Sequence, residues 1–78
     1  MSANYTHEFT GRRPSQSQII KVLKQGIKDG ASQLNIDWGE NWLRFERNPY
    51  AMNKWTGYGW IRTLGGDELA KQLNRGYI

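Results

Sequence analysis

The chain has 78 residues, which is enough for one small domain with a single hydrophobic core. It contains no cysteine, so disulfide bonds and thiolate-bound metal clusters are excluded as sources of stability. Eleven Lys and Arg residues against seven Asp and Glu residues give a net charge of +4, which favours anionic partners such as nucleic acid, an acidic protein surface or anionic lipid.

The first 13 residues are polar and show no sustained hydrophobic period. Terminal segments of this composition are poorly ordered unless other elements hold them. We therefore predict a flexible arm over residues 1–13, with a short extended piece at residues 5–9. A single compact domain is expected to follow over residues 14–78.

A helix is predicted to begin after Ser15, because Ser15 and Gln18 form the sequence pattern of a capping box. Apolar residues then recur at three- and four-residue spacing and form one stripe: Ile19, Val22, Leu23 and Ile27. Gly30 follows Asp29 at the position where a left-handed residue ends a helix. Gly26, inside the helix, indicates close packing against a neighbouring element.

Two strands joined by a tight turn are predicted next. The apolar residues of the first strand alternate with polar ones, at the two-residue period of a half-buried strand, and are Leu34, Ile36 and Trp38. Residues 39–41 have turn chemistry. The second strand is expected to direct Leu43 and Phe45 to one face. Its opposite face receives Trp42, Arg44 and Glu46. Pro49 ends this strand, since proline cannot donate to the ladder.

The region after Pro49 is predicted as a loop over residues 50–56, followed by a third strand over residues 58–64. Gly57 and Gly59 leave the start and the facing of this strand open, because a bulge at Gly59 would exchange its two sides. A short final helix is then expected, with Asp67 as its N-cap and Gly76 as its end. Its apolar stripe consists of Leu69, Ala70 and Leu73.

These elements predict an α+β fold with the order α-β-β-β-α, in which two helices pack on one face of a three-stranded antiparallel sheet. The opposite face of the sheet is then open to water. The sequence has no window near the ~20 apolar residues of a membrane span, and residues 1–9 lack the pattern of a signal peptide. We therefore expect a soluble cytoplasmic protein that makes no membrane contact.

The sequence offers few candidate catalytic groups. His7 is the only histidine and lies in the predicted arm, where a general base would lack a fixed partner. Asp37 and Glu40 flank the hairpin turn, and carboxylates in this position more often solubilise a turn than hold a cation or serve hydrolysis. Gly65 and Gly66 precede a helix, where an anion could dock, but a plain turn is the simpler interpretation. We expect no enzyme activity, no cofactor and no metal site.

The signals for binding are stronger. Aromatic and basic residues interleave on the predicted open face and in the loop before the third strand, and Trp, Tyr and Arg are enriched at the centres of protein interfaces. The predicted partner-binding residues are Trp42, Arg44, Lys54, Trp55, Tyr58, Trp60 and Arg62. Burial in the core is the alternative for Trp60, since a large ring can cover a small sheet. An aromatic face of this kind also suits a homodimer interface.

Nucleic acid is the alternative partner, because aromatic rings stack on bases while basic side chains pair with phosphates. The residues that would serve this alternative are Arg12, Arg13, Lys21, Lys24, Lys28, Arg44 and Arg62. Dedicated nucleic-acid-binding domains usually show a denser basic cluster than this chain does. A protein partner is therefore our first prediction.

The predicted order of elements over residues 15–75 resembles that of double-stranded-RNA-binding domains, which are of similar length. Those domains carry a basic cluster at the start of the last helix, where it contacts RNA phosphates. In this chain the corresponding stretch, residues 65–71, begins instead with two glycines and the acids Asp67 and Glu68.

A second resemblance rests on residues 38–42 (Trp-Gly-Glu-Asn-Trp), residues 57–61 (Gly-Tyr-Gly-Trp-Ile) and the short helix after them. These segments resemble small uncharacterised proteins encoded by bacteriophages and prophages. The resemblance implies an accessory protein that acts in the cytoplasm of a bacterial host by binding a host protein, a phage protein or nucleic acid.

Overall fold

The computed structural model describes residues 3–52 and 54–76, which form a five-stranded mixed sheet and two α-helices. In chain order the elements are β1 (Asn4–Phe9), α1 (Gln16–Lys28), β2 (Gln33–Trp38), β3 (Asn41–Asn48), a 3-10 turn (Pro49–Ala51), β4 (Lys54–Ile61), β5 (Leu64–Gly65) and α2 (Gly66–Gly76). The strands lie side by side in their sequence order. β1 runs parallel to β2, and every other neighbouring pair is antiparallel.

The predicted α+β class is confirmed, whereas the predicted three-stranded sheet is wrong. The short extended piece predicted at residues 5–9 is confirmed as part of β1 (Asn4–Phe9), whereas the predicted flexible arm around it is wrong for these residues. β1 pairs with β2 so that Tyr5 lies beside Leu34. The Tyr5 ring also contacts α1, because a methyl group added at Gly26 would come within 2.9 Å of it. The ordered unit therefore begins before residue 14, and β1-α1-β2 forms a parallel crossover unit.

Helix α1 forms where the sequence predicts it. The Ser15 hydroxyl accepts a hydrogen bond from the backbone N–H of Gln18 (3.2 Å), and the Gln18 side-chain oxygen accepts one from the Ser15 N–H (2.8 Å), which completes the capping box. Gly30 has φ +86°, the left-handed conformation that ends a helix. Ile19 and Leu23 of the predicted stripe are fully buried.

Both helices cover the same face of the sheet and enclose one core with it. The buried residues of this core are Ile19, Leu23, Ala31, Leu34, Ile36, Leu43, Phe45, Trp55, Ile61, Leu69, Ala70 and Leu73. The amide of Gln16 in α1 donates a hydrogen bond to the side-chain oxygen of Gln72 in α2 (3.0 Å), which links the two helices at the surface above the core.

The third predicted strand has different bounds in the structure. β4 begins at Lys54, inside the predicted loop, and ends at Ile61, where a two-residue turn leads to the short β5. Ile61 is fully buried, while Tyr58 and Trp60 are exposed. The facing that the sequence left open is therefore defined: Ile61 contacts the helices and the two aromatic side chains lie on the opposite side.

Helix α2 packs directly against the backbone of β4. A methyl group at Gly57 would overlap the carbonyl oxygen of Gly66, and one at Gly66 would lie 2.6 Å from the backbone nitrogen of Tyr58. Two glycines thus permit a close approach that no larger residue allows. The predicted stripe of this helix is buried as expected and consists of Leu69, Ala70 and Leu73.

The part of β4 that β5 does not reach is covered by a side chain of α2. The Asn74 side-chain oxygen accepts a hydrogen bond from the backbone N–H of Trp55 (2.7 Å), and its amide donates one to the Trp55 carbonyl oxygen (3.0 Å). Asn74 therefore takes the place of a neighbouring strand and satisfies backbone groups at this sheet edge.

Candidate functional site

The face of the sheet opposite the helices, called the open face below, carries the residues that alternate with the core residues. The strand register places Arg44 beside Asn35 on β2 and beside Tyr58 on β4. Trp42 lies between Asp37 and Trp60 in the next row. This face was predicted from the alternation along β2 and β3, and the register confirms it.

Three large aromatic side chains form a patch on the open face, called the aromatic patch below. Trp42 is 45% exposed, Tyr58 is 49% exposed and Trp60 is 62% exposed. Trp42 and Trp60 are direct cross-strand partners, and Tyr58 follows on the same face of β4. Burial in the core, the alternative considered for Trp60, is thereby excluded.

The two tryptophan rings of the patch rest on glycines. A methyl group at Gly65 would lie 2.7 Å from the Trp60 ring, so this ring covers β5. A methyl group at Gly59 would lie 2.6 Å from the Trp42 ring, and Gly59 has φ +89°, which a glycine adopts without cost. Each of these two rings therefore packs closely against a glycine on one side.

Arg44 lies in the middle of the open face and is already paired. Its guanidinium donates a hydrogen bond to the Asp37 carboxylate at 2.9 Å and lies 5.3 Å from the centre of the Trp42 ring. The same nitrogen donates to the carbonyl oxygen of Leu43 (2.9 Å). Because its charge is balanced by Asp37, Arg44 orients Trp42 more than it attracts a free anion.

The Arg44–Asp37 pair is expected to contribute a small coupling to stability. Both side chains are about one-third exposed, at 34% and 29%, so solvent screens their attraction. A double-mutant cycle with Arg44→Met and Asp37→Asn, measured by urea unfolding, should give a coupling free energy of about 0.5–1 kcal/mol that decreases with added salt. A coupling near zero at low salt would show that the ion pair does not persist in solution.

A shallow groove extends the aromatic patch toward the 3-10 turn. It has a volume of about 320 Å³ and is lined by Glu46, Arg47, Asn48, Pro49, Tyr50, Thr56 and Tyr58. Tyr50 is 98% exposed at the rim of this groove. Tyr50 therefore adds a fourth exposed tyrosine or tryptophan beside the open face, in the 3-10 turn between β3 and β4. Sequence analysis missed it because Tyr50 lies in a turn outside the alternating strands.

The predicted partner-binding residues are only partly brought together. Lys54 lies on the open face, opposite Asn48. The prediction that Trp55 is an exposed loop contact is wrong, because its side chain is 3% exposed and belongs to the core. β4 starts before Trp55 and directs this side chain toward the helices. Arg62 is exposed in the turn between β4 and β5 with φ +58°, and not within a strand that shares the face of Arg44.

The residues of the nucleic-acid alternative are divided between two sides of the molecule. Lys21, Lys24 and Lys28 are exposed on α1, which covers the face of the sheet opposite Arg44. Arg12 and Arg13 are exposed in the loop before α1. The open face itself carries three carboxylates against two basic side chains, namely Glu8, Asp37 and Glu46 against Arg44 and Lys54.

The candidate catalytic groups do not converge. His7 lies on β1, with its ring 4.5 Å from that of Phe9. Asp37 is paired with Arg44, away from Glu40 in the turn. Among residues 3–52 and 54–76, no cluster of three His, Asp or Glu side chains has the geometry to hold a metal ion.

The first turn of α2 contains two acidic residues, Asp67 and Glu68. The Asp67 carboxylate accepts a hydrogen bond from the backbone N–H of Glu68 at 2.8 Å. A free anion would meet these two negative charges there.

In the described part of the chain, neither helix combines the length and the apolar composition that crossing a membrane requires.

The open face thus combines fixed aromatic rings, a balanced ion pair and an adjoining groove. Sequence reasoning found the rings and Arg44 but missed Asp37 as the partner of Arg44, although the alternation along β2 places Asp37 on the same face. The assignment of the site rests on this geometry alone: no family model, no curated protein and no solved structure matches the chain.

Proposed function

We propose that this protein is a non-catalytic binding module whose open face docks on a protein partner. The observation that carries the proposal is the aromatic patch, in which Trp42, Tyr58 and Trp60 are each about half exposed on a regular antiparallel strand pair. Aromatic side chains of this size are costly to leave in water and are the residues that dominate binding energy in protein interfaces.

The charge of the open face supports a protein partner over nucleic acid. Arg44 is bound to Asp37, and the carboxylates on the face outnumber the basic side chains. A phosphate backbone would meet net negative charge there, whereas nucleic-acid affinity depends on dense Lys and Arg contacts. The complementary partner is an apolar, sparsely charged protein surface.

The packing of the rings also supports binding through this face. Trp60 rests on Gly65, and Trp42 lies between Gly59 and the guanidinium of Arg44. Side chains that already pack against their neighbours lose less conformational entropy on association than freely rotating ones. The resemblance to phage and prophage proteins suggests a host or phage protein in the bacterial cytoplasm as the partner.

Trp60→Ala is expected to weaken the capture of the partner by at least about 30-fold, since truncating a central aromatic residue costs about 2 kcal/mol or more. Immobilised wild-type protein and the variant would be exposed to lysate of the native source, and the bound proteins compared by quantitative mass spectrometry. Affinities would then be measured with the purified partner. Lys21→Ala, on the exposed side of α1, is the matched control and should bind like the wild type.

Equal capture by Trp60→Ala and the wild type would remove the open face from the proposal. A captured protein that Lys21→Ala loses and Trp60→Ala retains would place the binding site on α1 instead. Circular dichroism of each variant separates loss of binding from loss of the fold.

Nucleic acid remains the second candidate because five exposed basic residues lie on α1 and in the loop before it: Arg12, Arg13, Lys21, Lys24 and Lys28. Titration with single- and double-stranded DNA and RNA at two salt concentrations tests it. Binding through α1 would appear as a salt-sensitive gel shift with little change in tryptophan fluorescence. Salt-sensitive quenching would instead place nucleic acid on the aromatic patch and contradict the preference for a protein partner.

A further inference from the structure

The outer edge of β1 is the one long edge of the sheet that has no partner strand in the described part of the chain. The strand order places β1 at the end of the sheet, next to β2 only. At the other end, β5 and the Asn74 side chain cover β4. An uncovered edge is a template for pairing with another strand.

The backbone groups at this edge can be assigned from the pairing with β2. The carbonyl oxygen of Ala3 accepts hydrogen bonds from the N–H groups of Ser32 (3.0 Å) and Gln33 (3.3 Å), so it points toward β2. Successive residues of a strand direct their N–H and C=O groups to alternate sides. The outward-directed groups of β1 are therefore those of Asn4, Thr6 and Glu8.

β1 has few of the features that protect the edge strands of monomeric proteins, since Glu8 is its one charged residue apart from the titratable His7. Its six residues, Asn-Tyr-Thr-His-Glu-Phe, include no proline and no lysine. Its pairing with β2 is continuous from Asn4 to Phe9 without a bulge. Natural proteins use charges, prolines and bulges at such positions to prevent pairing between chains.

We propose that β1 pairs antiparallel with β1 of a second copy of this chain, about a two-fold axis at Thr6. This pairing joins the two five-stranded sheets into a single ten-stranded sheet. This register places Thr6 opposite Thr6 of the second copy and Asn4 opposite its Glu8. All three outward-directed residues of each copy then exchange backbone hydrogen bonds. The helices of both copies lie on the same side of the joined sheet, since an axis perpendicular to the sheet preserves its faces.

The side chains are self-complementary in this register. The Asn4 amide can donate to the Glu8 carboxylate of the second copy on the open face, and no like charges lie opposite each other. Moving the axis to Glu8 would place two carboxylates in direct opposition, and moving it to Asn4 would leave Glu8 outside the pairing. The sequence of β1 therefore favours the register centred on Thr6.

The other face of β1 also benefits from a second copy. Tyr5, His7 and Phe9 are half-buried, whereas Leu34 and Ile36 on the adjacent β2 are fully buried. The proposed register sets Tyr5 opposite His7 of the second copy, and cross-strand aromatic pairs stabilise antiparallel strands. The partial exposure of this row is what an interface strand shows in the separated subunit.

Sedimentation equilibrium over a range of protein concentrations tests the proposal with two substitutions at one exposed position. Asn4→Lys places an ammonium opposite Glu8 of the second copy and should lower the dimer dissociation constant by about tenfold. Asn4→Asp places a carboxylate there and should raise it by about tenfold. Because Asn4 is exposed, both variants should keep the monomer fold.

Thr6→Pro is the stronger test, since it removes the outward N–H at the two-fold axis and should leave only monomer. If this variant does not fold, the opposite shifts in the dimer dissociation constant expected for the two Asn4 variants still test the proposal. A wild-type protein that stays monomeric up to about 1 mM overturns the proposal, because its dimer dissociation constant would then exceed that concentration and the paired form would not accumulate. The proposal is also overturned if Trp60→Ala dissociates the dimer while the two Asn4 variants leave its dissociation constant unchanged.

Discussion

Gly57→Ala is expected to lower the free energy of unfolding by about 3 kcal/mol, which is among the largest effects that overpacking produces. The added methyl group would overlap the carbonyl oxygen of Gly66, the first residue of α2. The contact joins the backbone of β4 to the backbone of α2, and a backbone segment cannot relieve an overlap by rotating away as a side chain can. Helix α2 would have to move off β4, and Leu69 and Leu73 would lose part of their burial.

The size of this effect matters because a chain of this length is marginally stable, at about 4–12 kcal/mol by the usual range per residue. Urea unfolding followed by far-UV circular dichroism would measure it as a fall in the midpoint of about 3 M, taking a slope of about 1 kcal/mol/M for a small domain. Gly66→Ala probes the same contact from α2. The double variant should therefore cost less than the sum of the two single variants.

Two substitutions serve as controls for Gly57→Ala. Thr56→Ala changes the neighbouring exposed position of β4 and should cost less than about 1 kcal/mol. Gly26→Ala also creates an overlap, but with the Leu34 and Tyr5 side chains, which can shift. The better helix propensity of alanine, about 1 kcal/mol, offsets that cost. If Gly57→Ala unfolds no more easily than these controls, α2 does not rest on β4 as described.

The elements that sequence reasoning placed correctly are those with local signals. The capping box of Ser15 and Gln18 and the left-handed Gly30 bound α1 within the chain itself. The alternation of Leu43 and Phe45 with Trp42 and Arg44 likewise identifies the two faces of β3. Such signals need no knowledge of which distant residues will pack together.

The elements that it misplaced depend on distant partners. Residues 5–9 were predicted only as a short extended piece, because β1 is ordered by parallel pairing with β2, which follows α1 in the chain. Parallel pairs leave no turn signal in the sequence. The start of β4 was assigned to a loop, and Gly57 and Gly59 left the start of the strand open. In the structure Gly57 lies within β4 and permits the close approach of α2. Glycine is required there for a tertiary reason that composition does not show.

The aromatic residues of the candidate site were predicted from the sequence, but the pairing of its charged residues was not. The rings and Arg44 follow from alternation along β3 and β4. The hydrogen bond of Arg44 to Asp37 depends on the register between β2 and β3, in which the two side chains are diagonal neighbours. That single contact changes the interpretation of the face from a basic surface to a balanced one, and it directs the proposal toward a protein partner.

Trp55→Ala is expected to cost about 3–5 kcal/mol of the free energy of unfolding, because it removes a large side chain that is 3% exposed in the core. Trp60→Ala should cost less than about 1 kcal/mol, since its ring is 62% exposed and lies against Gly65 on the open face. Unfolding should be followed by far-UV circular dichroism, because tryptophan fluorescence changes with the substitutions themselves. The two residues lie on the same strand and are chemically identical, so the comparison isolates the facing of β4.

Trp55→Phe refines the same comparison. The buried indole N–H of Trp55 has no hydrogen-bond partner within residues 3–52 and 54–76. Phenylalanine removes this donor, whose burial costs about 1–3 kcal/mol, and leaves a smaller void than alanine does. Trp55→Phe should therefore be clearly more stable than Trp55→Ala. If Trp55→Ala were tolerated and Trp60→Ala unfolded the protein, the two faces of β4 would be exchanged, and the aromatic patch would belong to the core.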